Sequence, residues 1–133
     1  MSYEALVRDL YQALSDGVTG EGLARFFAPD AEQVEYPSAV RPTGSRRLLA
    51  EMLAASEQGA GLLSAQSFEV LSYLEQGSAA AVQLTWRATL AVPMGRIPAG
   101  GELVAHVGAF YEFADDGRIA RQSSYDCYEP FPA

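Results

Sequence analysis

Two long runs of alternating residues, hinged at Asp116-Gly117, constrain this chain more than anything else in it. In the first, Leu103, Ala105, Val107, Ala109, Tyr111 and Phe113 share one face; Val104, His106, Gly108, Phe110 and Glu112 share the other. In the second, Ala120, Gln122, Ser124 and Asp126 alternate with Ile119, Arg121, Ser123 and Tyr125. A period of two is the period of a strand. Asp-Gly suits a tight hairpin, because Gly takes positive φ without steric cost. Strands this long need a helix layer or a second sheet to cover their apolar face.

The cover lies upstream. Tyr3, Leu6, Val7, Leu10, Tyr11 and Leu14 fall at helical spacing, with Ser2 as N-cap and Asp16-Gly17 as stop. Thr19 caps a second short helix carrying Leu23, Phe26 and Phe27, which Pro29 ends. A strand over Glu32–Tyr36 sets Val34 and Tyr36 on one face, and Glu35 opposite, towards solvent. After the turn Arg41-Pro42-Thr43-Gly44, Ser45 caps a third helix with Leu48, Leu49, Met52 and Leu53 on one side. Ser67–Gln76 reads as a strand with Phe68, Val70 and Leu74 on one face, and Tyr73 and Glu75 on the other. Past Gly77-Ser78, Val82, Leu84, Trp86, Ala88 and Leu90 share a face of the next strand, and a Gly- and Pro-rich loop leads into the hairpin. The expected architecture is α+β: a curved antiparallel or mixed sheet wrapped around three N-terminal helices, leaving a cone with an apolar pocket. No linker, repeat or low-complexity tract divides the chain, so residues 1–133 read as a single domain.

Composition narrows the chemistry. A net charge of −8 argues against nucleic acid and anionic membranes as partners. All nine basic residues are Arg, which removes a Schiff-base lysine and a phosphate loop of the G-K-[ST] type. One Cys and one His leave no disulfide and no Cys- or His-rich metal site, and no cofactor is implied. The N-terminal residues lack a signal-peptide core and no stretch approaches a membrane span, so a soluble cytoplasmic protein is the expectation.

F-F-A-P-D-A-E-Q-V-E-Y-P in the first half resembles the nuclear transport factor two-like superfamily. So does F-x-x-D-G-R-I before a strand ending in Y-D. The nearest flavour is the SnoaL-like group, which includes polyketide cyclases; ketosteroid isomerase and limonene epoxide hydrolase share the fold. The superfamily hosts enzymes, binders and assembly domains, so the resemblance implies fold more than activity. Compared with ketosteroid isomerases, the general-base position falls on Tyr36 and the oxyanion acid on Ala109; the oxyanion tyrosine falls on Tyr11 or, one residue shifted, on Leu10. That isomerase mechanism is therefore not expected. The epoxide hydrolase pattern fails at Arg87, which Thr85 and Thr89 flank. SnoaL-type cyclases use a pocket aspartate as acid/base, and the comparison turns Gln122, Ser124 and Asp126 inward.

Asp126 is accordingly the candidate acid/base, desolvated by Trp86, Tyr11 and Phe26; the alternative is a structural carboxylate paired with an Arg. His106 is the second catalytic candidate. Strand parity puts it on the outer face unless a bulge reverses the register. Tyr11, Phe26, Tyr36, Met52, Leu53, Trp86, Ala109, Gln122 and Ser124 are the candidate pocket, which these side chains either line or fill. Arg87 is expected to pair with Glu69 or Glu75, and Cys127 to be an inert, half-buried thiol. The expected ligand is a small apolar or aromatic, polyketide-like molecule, and the expected assembly a homodimer through the outer sheet face. A non-catalytic binder and a protein-interaction domain stay open beside an acid/base enzyme.

Overall fold

The apolar stripe from Tyr3 to Leu14 becomes α1, Glu4–Ser15, which buries Val7, Leu10 and Tyr11. The computed structural model describes residues 2–131. Ser2 Oγ accepts the Glu4 N–H at 3.1 Å, as a capping hydroxyl does, although Tyr3 occupies the N-cap. The Tyr3 N–H, 2.9 Å from the Glu75 carboxylate, ties the helix start to the sheet.

A 3-10 helix, Gly20–Phe26, follows and buries Leu23 and Phe26. Pro29 does not end it. Strand β1, Phe27–Glu35, begins earlier and runs through the proline. Its register against the neighbouring strand slips between Phe27 and Glu32, so the missing proline N–H falls at an irregularity. Ser45 is not a helix cap either. Ser45–Leu48 forms β2, paired antiparallel with β1, and α2 spans Leu49–Gly59. The Arg46–Glu32 and Arg47–Glu35 ion pairs across the two strands favour extended backbone here. Helix α2 then starts where Glu51 accepts the Leu48 N–H at 3.0 Å.

The remaining strands are β3 (Leu63–Gln76), β4 (Ala79–Leu90), β5 (Glu102–Phe113) and β6 (Ile119–Tyr128). They complete a six-stranded sheet in the order β2-β1-β6-β5-β4-β3. β1 runs parallel to β6 and the other pairs are antiparallel, so the sheet is mixed. Three helices, the 3-10 turn among them, and a curved sheet make the architecture α+β. A bulge between Val70 and Ser72 reverses the parity of β3. Phe68, Val70 and Tyr73 therefore pack on the core while Leu74, expected beside them, is 70% exposed.

The hairpin loop is longer than two residues. Gly117 N–H bonds back to the Ala114 carbonyl at 2.9 Å, with Asp115 and Asp116 at the centre and Gly117 following at φ 88°. The Asp116 carboxylate accepts both the Arg118 backbone N–H and its guanidinium, which holds the acid below its usual range.

Candidate functional site

The inward face of β4 and β5 is apolar and the inward face of β1 and β6 is polar, and a cleft of about 210 Å³ separates them. Phe68, Leu84, Trp86, Val107 and Ala109 build the first wall, with Tyr11 from α1 over them. Gln33, Glu35, Gln122, Ser124 and Asp126 build the second. Alternation explains the split: these are the same-parity residues of adjacent strands, in register as Gln33↔Gln122, Glu35↔Ser124 and Val107↔Asp126.

Asp126 is half-buried, and its pKa is raised. Desolvation is the largest cause and the charge of Glu35 the next; Ser124 Oγ, 3.5 Å away, opposes them weakly. Glu35 is clamped. Arg47 Nη1 lies 3.1 Å from one carboxylate oxygen and Arg41 Nε 3.3 Å from the other. The Arg47 side chain is only 17% exposed and also donates to Ser45 Oγ at 3.2 Å. The loop that brings Arg41 back needs glycine at position 44. Its φ is 68°, and a Cβ there would stand 2.5 Å from the Glu35 carbonyl oxygen.

Within the cleft, the hydroxyls of Tyr11 and Tyr111 lie 2.6 Å apart, and Gln122 Nε2 donates to Tyr111 at 3.4 Å. Burial pushes Tyr11 up to about 12 and Tyr111 well above its ordinary value, so both stay protonated at neutral pH. Whichever tyrosine donates to the other, one phenolic hydrogen remains for a ligand oxygen. Trp86 Nε1 donates to Gln66, whose amide donates to the Leu14 carbonyl, at 2.9 and 3.1 Å. These bonds fix the indole, and Tyr128 stands edge-on to it at 6.3 Å. Burial followed by Asp126 and Glu35 pushes the Tyr128 phenol up.

Six of the residues singled out in sequence line this cleft: Tyr11, Trp86, Ala109, Gln122, Ser124 and Asp126. Phe26 is wholly buried in the core, and Met52 and Leu53 line a second hollow of about 230 Å³. Tyr36 is on the opposite face of the sheet, stacked on Tyr125 at 4.4 Å, because its neighbour Glu35 takes the inward position. Glu35 was thus expected on the wrong side. An apolar Val34 and Tyr36 suggested an inward face, and the parallel pairing to β6, invisible locally, decides otherwise. His106 stands on the outer face, 57% exposed, 2.9 Å from Glu129, and away from the cleft. Arg87 pairs with Glu102 on β5 rather than with Glu69 or Glu75, and Cys127 is exposed. Gln33, Tyr111 and Tyr128 also line the cleft without having been singled out. Tyr111 lies on the face of the first run that carries Ala109, which was the available signal.

Among the described residues, no helix is long and apolar enough to cross a membrane. The SnoaL-like domain family matches this chain over residues 7–122. No curated protein matches it in sequence. Solved structures do match in shape. IdmH from Streptomyces antibioticus, a proposed polyketide cyclase, is 21% identical with a TM-score of 0.76, covering 95% of this chain and 92% of its own. SalBIII, an epoxide hydrolase/cyclase-like enzyme of pyran ring formation in the polyether salinomycin, is 13% identical at 0.73, covering 93% and 89%. A hypothetical protein with a ketosteroid isomerase-like fold from Catenulispora acidiphila, in complex with trimethylamine, is 12% identical at 0.70, covering 90% and 83%. At these identities the likeness is one of fold.

Proposed function

Because the chain belongs to the SnoaL-like domain family, we propose that it binds a small apolar or aromatic, polyketide-like molecule in the cleft. There it would move a proton at a carbon next to a carbonyl, as an isomerase or cyclase does. The observation that carries this reading is one carboxylate, Asp126, half-buried beside a second, Glu35, with a phenol pair in the same cleft. Ionised Asp126 takes the α-proton; the C–H pair moves into the enolate, and the charge on oxygen meets the free phenolic hydrogen of the Tyr11–Tyr111 pair. Return of the proton to a different carbon isomerises the molecule, and attack of the enolate carbon on a second carbonyl closes a ring. The hydroxyl pair matters because a donor preorganised in a water-poor site costs no reorganisation when charge develops. Glu35, held by two guanidiniums, makes ionisation of Asp126 harder and so makes its carboxylate a stronger base.

Deuterium exchange at the α-carbon of acetophenone in D₂O, followed by proton NMR, tests the reading. Exchange above the buffer rate, lost in Asp126→Asn while Trp86 fluorescence still reports binding, is the expected result. Undiminished exchange in that variant would remove Asp126 from the chemistry.

The proposed assembly is a pair of identical chains meeting through the outer sheet face, where Phe110 and Tyr125 are 46% and 50% exposed and pack edge-to-face at 6.0 Å. Sedimentation of the purified chain as a monomer at micromolar concentration would contradict it.

A further inference from the structure

The cleft and the second hollow, lined by Met52 and Leu53, have three lining residues in common: Gln33, Glu35 and Gln122. Beyond these three, Leu10, Leu23, Phe27, Met52 and Leu53 make the second hollow apolar, and Arg41 and Arg47 stand at its polar side. Leu14, Ala55 and Ser56 are in turn common to it and to a third hollow, of about 350 Å³, beside Asp16–Thr19. Three hollows thus follow one another through the space between the helices and the sheet.

The boundary between the first two is made of side chains. Glu35 is fixed by its arginines, whereas Gln122 is held by one long bond of 3.4 Å to Tyr111. Rotation of that amide costs little and leaves its N–H donors free for a carbonyl. A hollow whose deeper lining is Leu10, Leu23, Phe27, Met52 and Leu53, behind Gln33, Glu35 and Gln122, is suited to an aliphatic chain.

We propose that the second hollow is a subsite for the chain of the same ligand that the cleft binds by its ring. The ligand class is then an elongated aryl or cyclic ketone with an aliphatic tail: ring beside Trp86, carbonyl near the tyrosine pair and the amides, tail among Leu23, Met52 and Leu53. This rests on the ligand reading above and adds to it a length and a polarity.

The test uses the straight-chain phenyl ketones from acetophenone to decanophenone, with quenching of Trp86, the one tryptophan of the chain, as readout. Each methylene entering the hollow should tighten binding by about threefold to fourfold, from the ~0.8 kcal/mol of burying one CH₂. Ala55→Leu, which fills the hollow from a half-buried helix position, should leave acetophenone unchanged and abolish the gain from longer tails. Met52→Phe supplies a second filling variant, and unchanged near-ultraviolet dichroism establishes that each is folded. Acetophenone binding with no gain on lengthening overturns the subsite alone. So does a gain that survives in both variants, since the tail then lies elsewhere. Failure of every ketone to bind overturns the reading of the cleft and the subsite with it.

Discussion

The two walls of the cleft are held in place by different physics. The β4–β5 wall rests on apolar packing: Leu84, Ala105 and Ala109 are buried, and behind the phenol pair Tyr111 stacks with Phe113 at 6.3 Å. The β1–β6 wall rests on charge: Glu35 between Arg41 and Arg47, and Glu32 between Arg46 and Arg121. Packing is insensitive to pH and salt, whereas pairs of partly exposed charges are weakened by both. The two walls should therefore respond differently to pH and salt, and damage to one should look unlike damage to the other.

The largest effect belongs to the apolar support. Phe26→Ala, at a side chain with no exposed surface, should cost about 3–5 kcal/mol in urea unfolding and soften both walls together. A cost under ~1 kcal/mol would mean that the core is less closely packed than described. Next comes the clamp. Glu35→Ala leaves a mostly buried Arg47 without its carboxylate and should cost about 1–2 kcal/mol, less in high salt. The same substitution should lower the pKa of Asp126, because Glu35 is one of the two causes that raise it. Tyr11→Phe should cost about 1 kcal/mol, because it leaves the buried Tyr111 hydroxyl with only the long bond from Gln122, and with no salt dependence. On the outer face Arg87→Ala breaks a pair that is 48% and 56% exposed, and should shift stability by under ~0.5 kcal/mol.

The same division explains what could be read from the residues alone. Alternation in β4 and β5 is apolar on one side, so Trp86, Ala109 and the buried row of Leu103–Phe113 fall on the expected face. Helix α1 is equally plain. In β1 the local pattern misleads: Val34 and Tyr36 look like an inward pair, but the partner strand β6 is more than eighty residues away in sequence, and its parallel register turns Glu35 inward instead. The strand β2 is hidden for a related reason. Ser45-Arg46-Arg47-Leu48 has good helix formers and is extended only because Glu32 and Glu35 wait across the ladder. The bulge in β3 has no local signature, and it alone exposes Leu74. The apolar wall and, through the family resemblance, the β6 side of the polar wall with Gln122, Ser124 and Asp126 were legible; the β1 side, with Gln33 and Glu35, depends on long-range pairing and was not.

Titration separates the walls most cleanly. The pKa of Asp126 is higher in the folded chain than in the unfolded one, so ionising it costs stability. Its contribution is complete below the ordinary aspartate value of about 3.9 and is lost as pH rises through the raised one. Asp126→Asn should therefore melt higher than the parent at neutral pH, and the two should converge in acid.

The carboxyl ¹³C shift of Asp126, followed by NMR across pH in the parent and in Glu35→Gln, addresses the central claim directly. A midpoint above the ordinary aspartate range in the parent, moving down when Glu35 loses its charge, is what a desolvated acid facing a second carboxylate must give. A midpoint at or below the ordinary value, unmoved by Glu35→Gln, would mean that Asp126 is a solvated strand-end residue and that the cleft has no acid/base of its own.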